Sequence, residues 1–532
     1  VLYFPKKQYD AAAKKRGHGE GDGMFEANQS AVQFGIFLAL MVVIALFTWL
    51  KVRGHRVGSS DQNKTDKEIF LAGGGLSWFF VAGAITLTNL STDQLVGMNG
   101  NQMLLLAWWE LAGFVGLLIL AFIFVPIYYR NKCTTVTELL EKRYNGGSIR
   151  TVISALFLIG NIFIYLPAVI YSGSLFMQSL FGTDISVIAI ATIFAIVGAA
   201  YAILGGLRAV AVLDTYSGVG ILGLALVVVF LALAAVNFDL FSGVPAERVS
   251  MIGALDSPIP FHTLFTGMIL IQIFYWSTNQ NITQKALAAP TVKEAQKGVM
   301  AAAVVRVLVI PPIVVIPGVV AFKLFGDVGD RAYGMIVAEV LPSWTSGIFA
   351  AMIAAAVLTT FSAVLNATIT LYSVDFHRKF INPTASAVTL NRVVGIGASI
   401  IAIALVPLYA GASSIINLLQ ELNGLSSMPI LSAFIAGLLF RNVDARAAIV
   451  GLVYGVAIYA LHNFVLYRPD TLYSGETFYQ HFGIGWLHYI DVMVIVLVTS
   501  VMMSLAVNRA IFGNRAIFIF SKEGRALRAA VA

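Results

Sequence analysis

The sequence predicts an all-α integral membrane protein of about thirteen transmembrane helices, arranged around two inverted blocks of five. Three observations predict it. Of 532 residues, 58% are hydrophobic and only 11% charged, against roughly 25% charged in a soluble domain. Runs of about 20 apolar residues, the length that crosses a hydrocarbon core near 30 Å thick, recur almost to the C-terminus. Two of these runs carry dense polar clusters, Thr86 to Gln94 and Gln272 to Gln284, in corresponding places of successive blocks. An unsatisfied polar group in hydrocarbon costs several kcal/mol, so paired interruptions point to discontinuous helices around a binding site at the membrane midplane.

The elements follow in order. Residues 1–30 form a polar tail that contains Gly and five basic residues, and no signal-peptide pattern precedes Gln33. An extra helix, 31–53, centres on Leu40. The first block, 76–236, has spans centred near Asn89, Val115, Ile164, Phe194 and Leu226; the second, 261–440, near Gln272, Ile310, Val357, Ile400 and Leu431. Because five is odd, the second block enters from the opposite side, which permits an in-plane pseudo-two-fold. Two more helices occupy 446–508, around Gly455 and Val498, and 509–532 is a tail. The connections Asn237 to Pro260 and Leu324 to Ser346 are the longest between core spans, and their Pro and Gly residues mark short lids.

Charge sets the orientation. Basic residues gather on alternate connections: Lys51 to Lys67, Arg130 to Arg143, Arg208, Lys285 to Lys297, Arg378 and Lys379, Arg441 and Arg446, and the C-terminal tail. The intervening ones carry Asp184, Asp239, Glu247, Asp256, Asp327, Asp330, Asp470 and Glu476. The positive-inside rule then places the C-terminus in the cytoplasm and the N-terminus outside, against the basic character of Lys6 to Arg16. The formal charge of +7 is spread over these connections, so it does not mark a nucleic-acid partner. Cys133 is the only cysteine, which excludes an intrachain disulfide and a cysteine metal site.

The polar clusters carry the chemistry. Thr88-Asn89-Leu90-Ser91 tolerates a helix break, because such side chains compete for backbone hydrogen bonds, and freed carbonyls survive at membrane depth only where they line a cavity or bind an ion. Thr359 and Thr360 add hydroxyls, and an all-oxygen set suits a hard cation. Glu110 and Arg306 are ionisable residues inside spans and are functional candidates for that reason, unless they form a structural ion pair. Asp214 lies near a cytoplasmic boundary. Gln420 and Glu421 belong to a third polar interruption, Leu418 to Gly424. Tyr275-Trp276 beside Gln272 and Asn279 supplies ring faces next to amides, the combination that holds a sugar ring.

At this point the chain resembles the sodium/solute symporter family. The resemblance rests on Phe70-Leu71-Ala72-Gly73, Asn89 to Met98, Gly205 to Val210, Tyr275-Trp276 with Asn279-Gln280, Glu294 to Gly298, and Gln420-Glu421 with Asn423-Gly424. It implies a LeuT-like five-plus-five fold. It also implies a sodium site of the carbonyls of Leu87, Leu90 and Ala356 with the hydroxyls of Thr359 and Thr360, and a sugar site of Gln94, Glu110, Gln272, Arg306 and Gln420. Tyr275 would be the inner gate and Asp214 would lie on the sodium exit route. One sugar-transporting member of the family carries Lys at the position of Arg306 and Asn at that of Gln272, and Arg is a planar fork where Lys is a point charge.

The expectation is therefore a secondary symporter, with no enzymatic activity, that couples sodium entry to monosaccharide uptake, a hexose such as galactose or glucose, in a bacterial inner membrane. A uronate or other small organic anion is the alternative substrate on the same scaffold. A sodium-gated sensor or channel is a remote third reading, disfavoured by the short tail after Gly524. The partners expected are sodium, the small-molecule substrate and the lipid bilayer.

Overall fold

The computed structural model describes residues 32–43, 46, 75–133, 135–255, 257–412, 414–466, 487–521 and 523, and the side chains of all of these except 87, 88 and 204–217. The tail 1–30, most of the connection before Gly75 and the side chain of Asp214 lie outside the described residues. Among the described residues, nine helices are long and apolar enough to cross a membrane, with three shorter apolar ones besides. The expectation of about thirteen spans also counts the helices around Leu40, Asn89, Phe194 and Gln272, which are broken or adjoin residues or side chains outside the described set.

Helix α1 is Val32–Val43. The first broken pair follows as α2, Trp78–Asn89, and α3, Thr92–Gly100. Next come α4, Leu104–Arg130; the short α5, Val136–Tyr144; α6, Gly147–Phe181; and the helical run α7, Val187–Ala235. The pattern then recurs. The second broken pair is α8, Gly267–Ser277, and α9, Gln280–Leu287. After it stand α10, Val292–Phe325; the short α11, Ala332–Val340; α12, Ser343–Ile381; α13, Ala387–Ala410; and α14, Ile415–Leu439. Helices α15, Ala445–Leu466, and α16, Tyr489–Ala510, pack on each other and on α14. Strands β1, Phe440–Arg441, and β2, Ile517–Phe518, form one antiparallel pair with Phe440 opposite Phe518.

The run α7 has 49 residues, about 74 Å at 1.5 Å per residue, more than twice a hydrocarbon core. It is not one straight span. Gly198 packs on Phe361 of α12, and Ile203 and Ile369 of α12 both lie against Gly395. Gly220, 22 residues after Gly198, packs on Met352, on the opposite side of Phe361 along α12. The two apolar stretches, Val187–Ile203 and Gly218–Ala235, therefore both lie against α12, the second returning along it.

The polar stretch Leu418 to Gly424 does not break its helix; α14 runs through it unbroken. The connection after α10, read as a lid, contains α11, which packs on α6 and α10. Short α5 follows the second helix of its block as α11 follows that of its own. Helix α5 is capped by a reciprocal Thr135–Glu138 box, which satisfies two otherwise free backbone donors. Below it a buried charged group ties three elements together: Asp375 of α12, fully buried, accepts from Thr137, Ser154 and Arg150 Nε, and Arg150 Nη1 also reaches Glu141 at 2.6 Å.

Candidate functional site

The two breaks differ in how the helix ends are met: by backbone alone at the first, and with a side-chain cap at the second. At the first, Leu90 N–H still bonds Thr86 C=O at 3.0 Å, whereas Ser91 is extended (φ −85°, ψ 171°) and starts α3. The last carbonyls of α2 therefore have no helical donor ahead of them. At the second, Thr278 closes α8 by bonding Phe274 C=O at 3.0 Å, and the Asn279 side chain caps α9 through Asn281 N–H at 2.9 Å.

Helix α12 packs against both α2 and α3 and carries Ala356, Thr359 and Thr360, all buried. The Thr359 hydroxyl donates back to Ala356 C=O at 3.1 Å, the usual use of a threonine inside a helix. The Thr360 hydroxyl is buried with no partner among the described residues. A buried polar group without a partner requires an explanation, and the donor set at this crossing, neutral carbonyl and hydroxyl oxygens, has the chemistry of a hard monovalent cation site. Among the described residues no group of three or more His, Cys, Asp or Glu is placed to hold a metal.

A cavity opens beside the two breaks. It spans about 650 Å³ of space when its open mouth is included. Gln94, Gln272, Tyr275, Arg306 and Gln420 line it together with Asn89, Asp93, Trp109, Tyr165 and Asn423. Glu110 stands behind Arg306, with side chains 0% and 1% exposed respectively. Arg306 Nη2 donates to Glu110 Oε2, and Gln94 Nε2 donates to Glu110 Oε1. With its amide turned to the orientation that satisfies its neighbours, Asn89 presents its oxygen to Arg306 Nη1 at 2.7 Å and its nitrogen donates to the Tyr275 hydroxyl at 2.6 Å. The guanidinium also lies 4.6 Å from the Trp276 ring centroid, a cation–π contact.

Gln272 is held from both ends. Its Nε2 donates to Trp109 C=O at 2.7 Å, and its Oε1 accepts from Trp276 Nε1 at 2.9 Å. Helix α4 approaches α8 this closely because Gly116 has no side chain: a Cβ there would stand 2.3 Å from Gln272 O. Across the cavity Tyr165 donates to Asn423 Oδ1 at 2.6 Å, and Asn423 Nδ2 donates to Gln420 Oε1 at 3.4 Å. The sugar-site candidates Gln94, Gln272, Arg306 and Gln420 and the gate candidate Tyr275 thus line one cavity, and Glu110 lies behind it, bonded to Arg306 and Gln94. Of the five for sodium, Ala356, Thr359 and Thr360 sit on the helix that crosses the break, Leu90 lies within it, and Leu87 is described by its backbone alone.

Three contributors were not read as site residues from sequence. Asn89 belongs to a motif taken for its backbone, yet its side chain ties Arg306 to Tyr275. Asn423 was legible only as part of a polar stretch. Tyr165 carries no signal, since a tyrosine in an apolar run has the same pattern whether it packs or lines a cavity.

The profile of the Sodium:solute symporter family matches residues 69–455. The chain is 35% identical over 461 residues to the uncharacterized symporter YidK of Escherichia coli (strain K12), covering 82% of this chain and 79% of that one. It is 28% identical to the sodium/glucose cotransporter of Vibrio parahaemolyticus over 79% of this chain and 82% of that one. To the human sodium/myo-inositol cotransporter 2 it is 27% identical, covering 80% and 68%. Among solved structures, a Na+-coupled sialic acid symporter in a substrate-bound outward-open state superposes with a TM-score of 0.69 at 16% identity, over 90% of this chain and 97% of that one. Mhp1, a nucleobase-cation-symport-1 transporter, gives 0.53 at 14% identity, over 87% and 98%. The fold is thus that of LeuT-type sodium-coupled symporters. Relatives named for glucose and for myo-inositol establish the family and do not single out galactose. The chain is a multi-pass membrane protein and belongs to the sodium:solute symporter family, whose members are sodium-coupled transporters of small polar solutes rather than enzymes.

Proposed function

We propose that this protein imports a small polyhydroxylated solute together with sodium, by alternating access across a bacterial inner membrane with its C-terminus in the cytoplasm. The observation that carries this reading is the Glu110–Arg306 pair set among amides. A buried charge pair costs desolvation, and here the remaining valences are met by Gln94 and Asn89, so the cavity offers alternating donors and acceptors beside the ring faces of Trp109 and Tyr275. That is a surface for hydroxyl groups and sugar CH faces. Sodium at the break between α2 and α3, held by Thr360 and the freed carbonyls, favours the outward-open population to the extent that it binds that state more tightly.

A second reading for the solute follows from one atom. Among the described residues Arg306 Nε is buried and has no partner, so this donor is left for an acceptor that the solute brings, such as the carboxylate of a uronate or another hydroxylated acid. The names of the relatives, which include glucose, myo-inositol and sialic acid, span neutral and acidic solutes alike. A thermal-shift panel of hexoses, inositols, uronates and amino acids, each with sodium or with choline, separates the readings, because a ligand of the native state raises stability by mass action. A shift from a neutral hexose or inositol that depends on sodium supports the first; a shift confined to acids supports the second. Shifts only from amino acids would overturn both.

A further inference from the structure

One carboxyl group on the cavity wall stands apart from the bonded network. Asp93, in the first turn of α3, lines the cavity with Asn89, Tyr165, Tyr275 and Asn423. Its Oδ1 accepts from the Ser91 hydroxyl, and among the described residues its Oδ2 has no hydrogen-bond partner and no cation pairs with the group. The neighbours are engaged elsewhere: Asn89 with Arg306 and Tyr275, Tyr165 with Asn423, and Arg306 with Glu110. A carboxyl group in a first turn suits the helix dipole, which accounts for an aspartate beside Ser91 but not for an oxygen left open to the cavity. Taking that oxygen out of water without a partner is costly, so a solute that displaces water from the cavity has to supply one.

We infer that Asp93 is a specificity-determining residue that binds one hydroxyl of the solute directly through Oδ2. A hydroxyl is the group that fits, because it donates to an ionised carboxylate and accepts from a protonated one. A solute carboxylate, an acceptor only, fits Arg306 Nε instead. The inference rests on the reading of this cavity as the site of a polyhydroxylated solute, and it holds for a neutral sugar and for a uronate alike. A site built to bond a hydroxyl rejects the analogue that lacks it, since the protein group is then left unpaired.

The test is titration calorimetry on the full chain in detergent with sodium present, for the parent and D93A. The ligands are glucose, galactose, myo-inositol and glucuronate, each with its monodeoxy forms. In the parent, one deoxy form of the solute that binds is weaker by about tenfold or more. In D93A the complete solute loses about as much, and that same deoxy form loses nothing further, so the two changes are not additive. The other deoxy forms keep the penalties they show in the parent. A merely structural aspartate would weaken every ligand by one factor. Such a uniform loss, or affinities that D93A leaves unchanged, overturns the inference and leaves the sugar reading in place. Binding of none of these ligands by the parent removes that reading and the inference with it. If D93A does not fold, D93S, polar and too short to reach the solute, replaces it with the same expectation and the same refuting result.

Discussion

Asn99 gives the sharpest stability prediction. Pro317, inside α10, has no N–H, so the carbonyl of Ile313 loses its helical donor, and interior prolines of this kind break or kink a helix. Asn99 of α3, fully buried, fills the gap. Its Nδ2 donates to Ile313 C=O at 3.2 Å and to Leu95 C=O at 2.8 Å, and its Oδ1 accepts from Gly318 N–H at 2.8 Å. The backbones touch here, since a Cβ at Gly318 would lie 2.3 Å from Asn99 O. In N99A two buried backbone groups of α10 lose a partner, at about 1–3 kcal/mol each. Interhelical hydrogen bonds in membranes average only about 0.6 kcal/mol because the reference state finds other partners. At Pro317 no alternative donor exists, so the larger figure governs and the loss is about 2–6 kcal/mol. The assay is thermal unfolding in detergent of N99A, P317A and the double variant. Restoring an N–H at 317 makes Asn99 partly redundant, so the cycle shows a coupling of at least about 1 kcal/mol. Equal losses from N99A in both backgrounds would refute the reasoning.

Further expectations concern the site and its surroundings. T360A removes a hydroxyl of α12 that is buried and without a partner among the described residues, and abolishes sodium-dependent uptake without unfolding the protein; full sodium-coupled uptake by T360A sinks the ion site. E110A leaves Arg306 buried and unpaired, which costs about 3–5 kcal/mol, whereas E110Q/R306Q recovers most of that stability without recovering transport; equal instability of the two variants argues against a compensated pair. Asp330, in the turn Gly329–Arg331, accepts from Ile415 N–H at 2.9 Å, and burial pushes its carboxyl up to about 7 from 3.8. The folded form thus holds a proton that the unfolded chain releases, so this contribution to stability is present below about pH 4 and lost as pH rises through 7. The melting temperature of the parent therefore falls over that window more steeply than that of D330N, and parallel profiles would exclude Asp330 as the source.

Much of this architecture was readable before any coordinates. Polar side chains too numerous for an apolar span signalled both breaks, and α2 and α8 end at Asn89 and Ser277, inside the two clusters. The same signal misled at Leu418 to Gly424, where α14 stays continuous. There Asn423 and Gln420 reach one cavity and Tyr459 donates to Glu421 C=O at 2.9 Å, so tertiary partners satisfy the polar groups without a break. Pairing across distant segments was the part that local pattern cannot carry. Glu110 and Arg306 were each conspicuous, yet their bond joins residues 196 positions apart. Tyr165 and the return of α7 along α12 depend wholly on such long-range packing.

The chain of bonds from Trp109 through Gln272 and Trp276 to Arg306, Asn89 and Tyr275 means that the cavity's polar groups are already engaged with one another. Any solute that enters exchanges partners with them. A molecule matching every group replaces bond for bond, while an analogue lacking one hydroxyl strands a buried donor or acceptor, and sites built this way reject such analogues far more strongly than apolar pockets reject a missing methylene. Discrimination would then be steepest among near neighbours: a single deoxygenation would weaken binding more than a change of ring size that keeps the hydroxyl count.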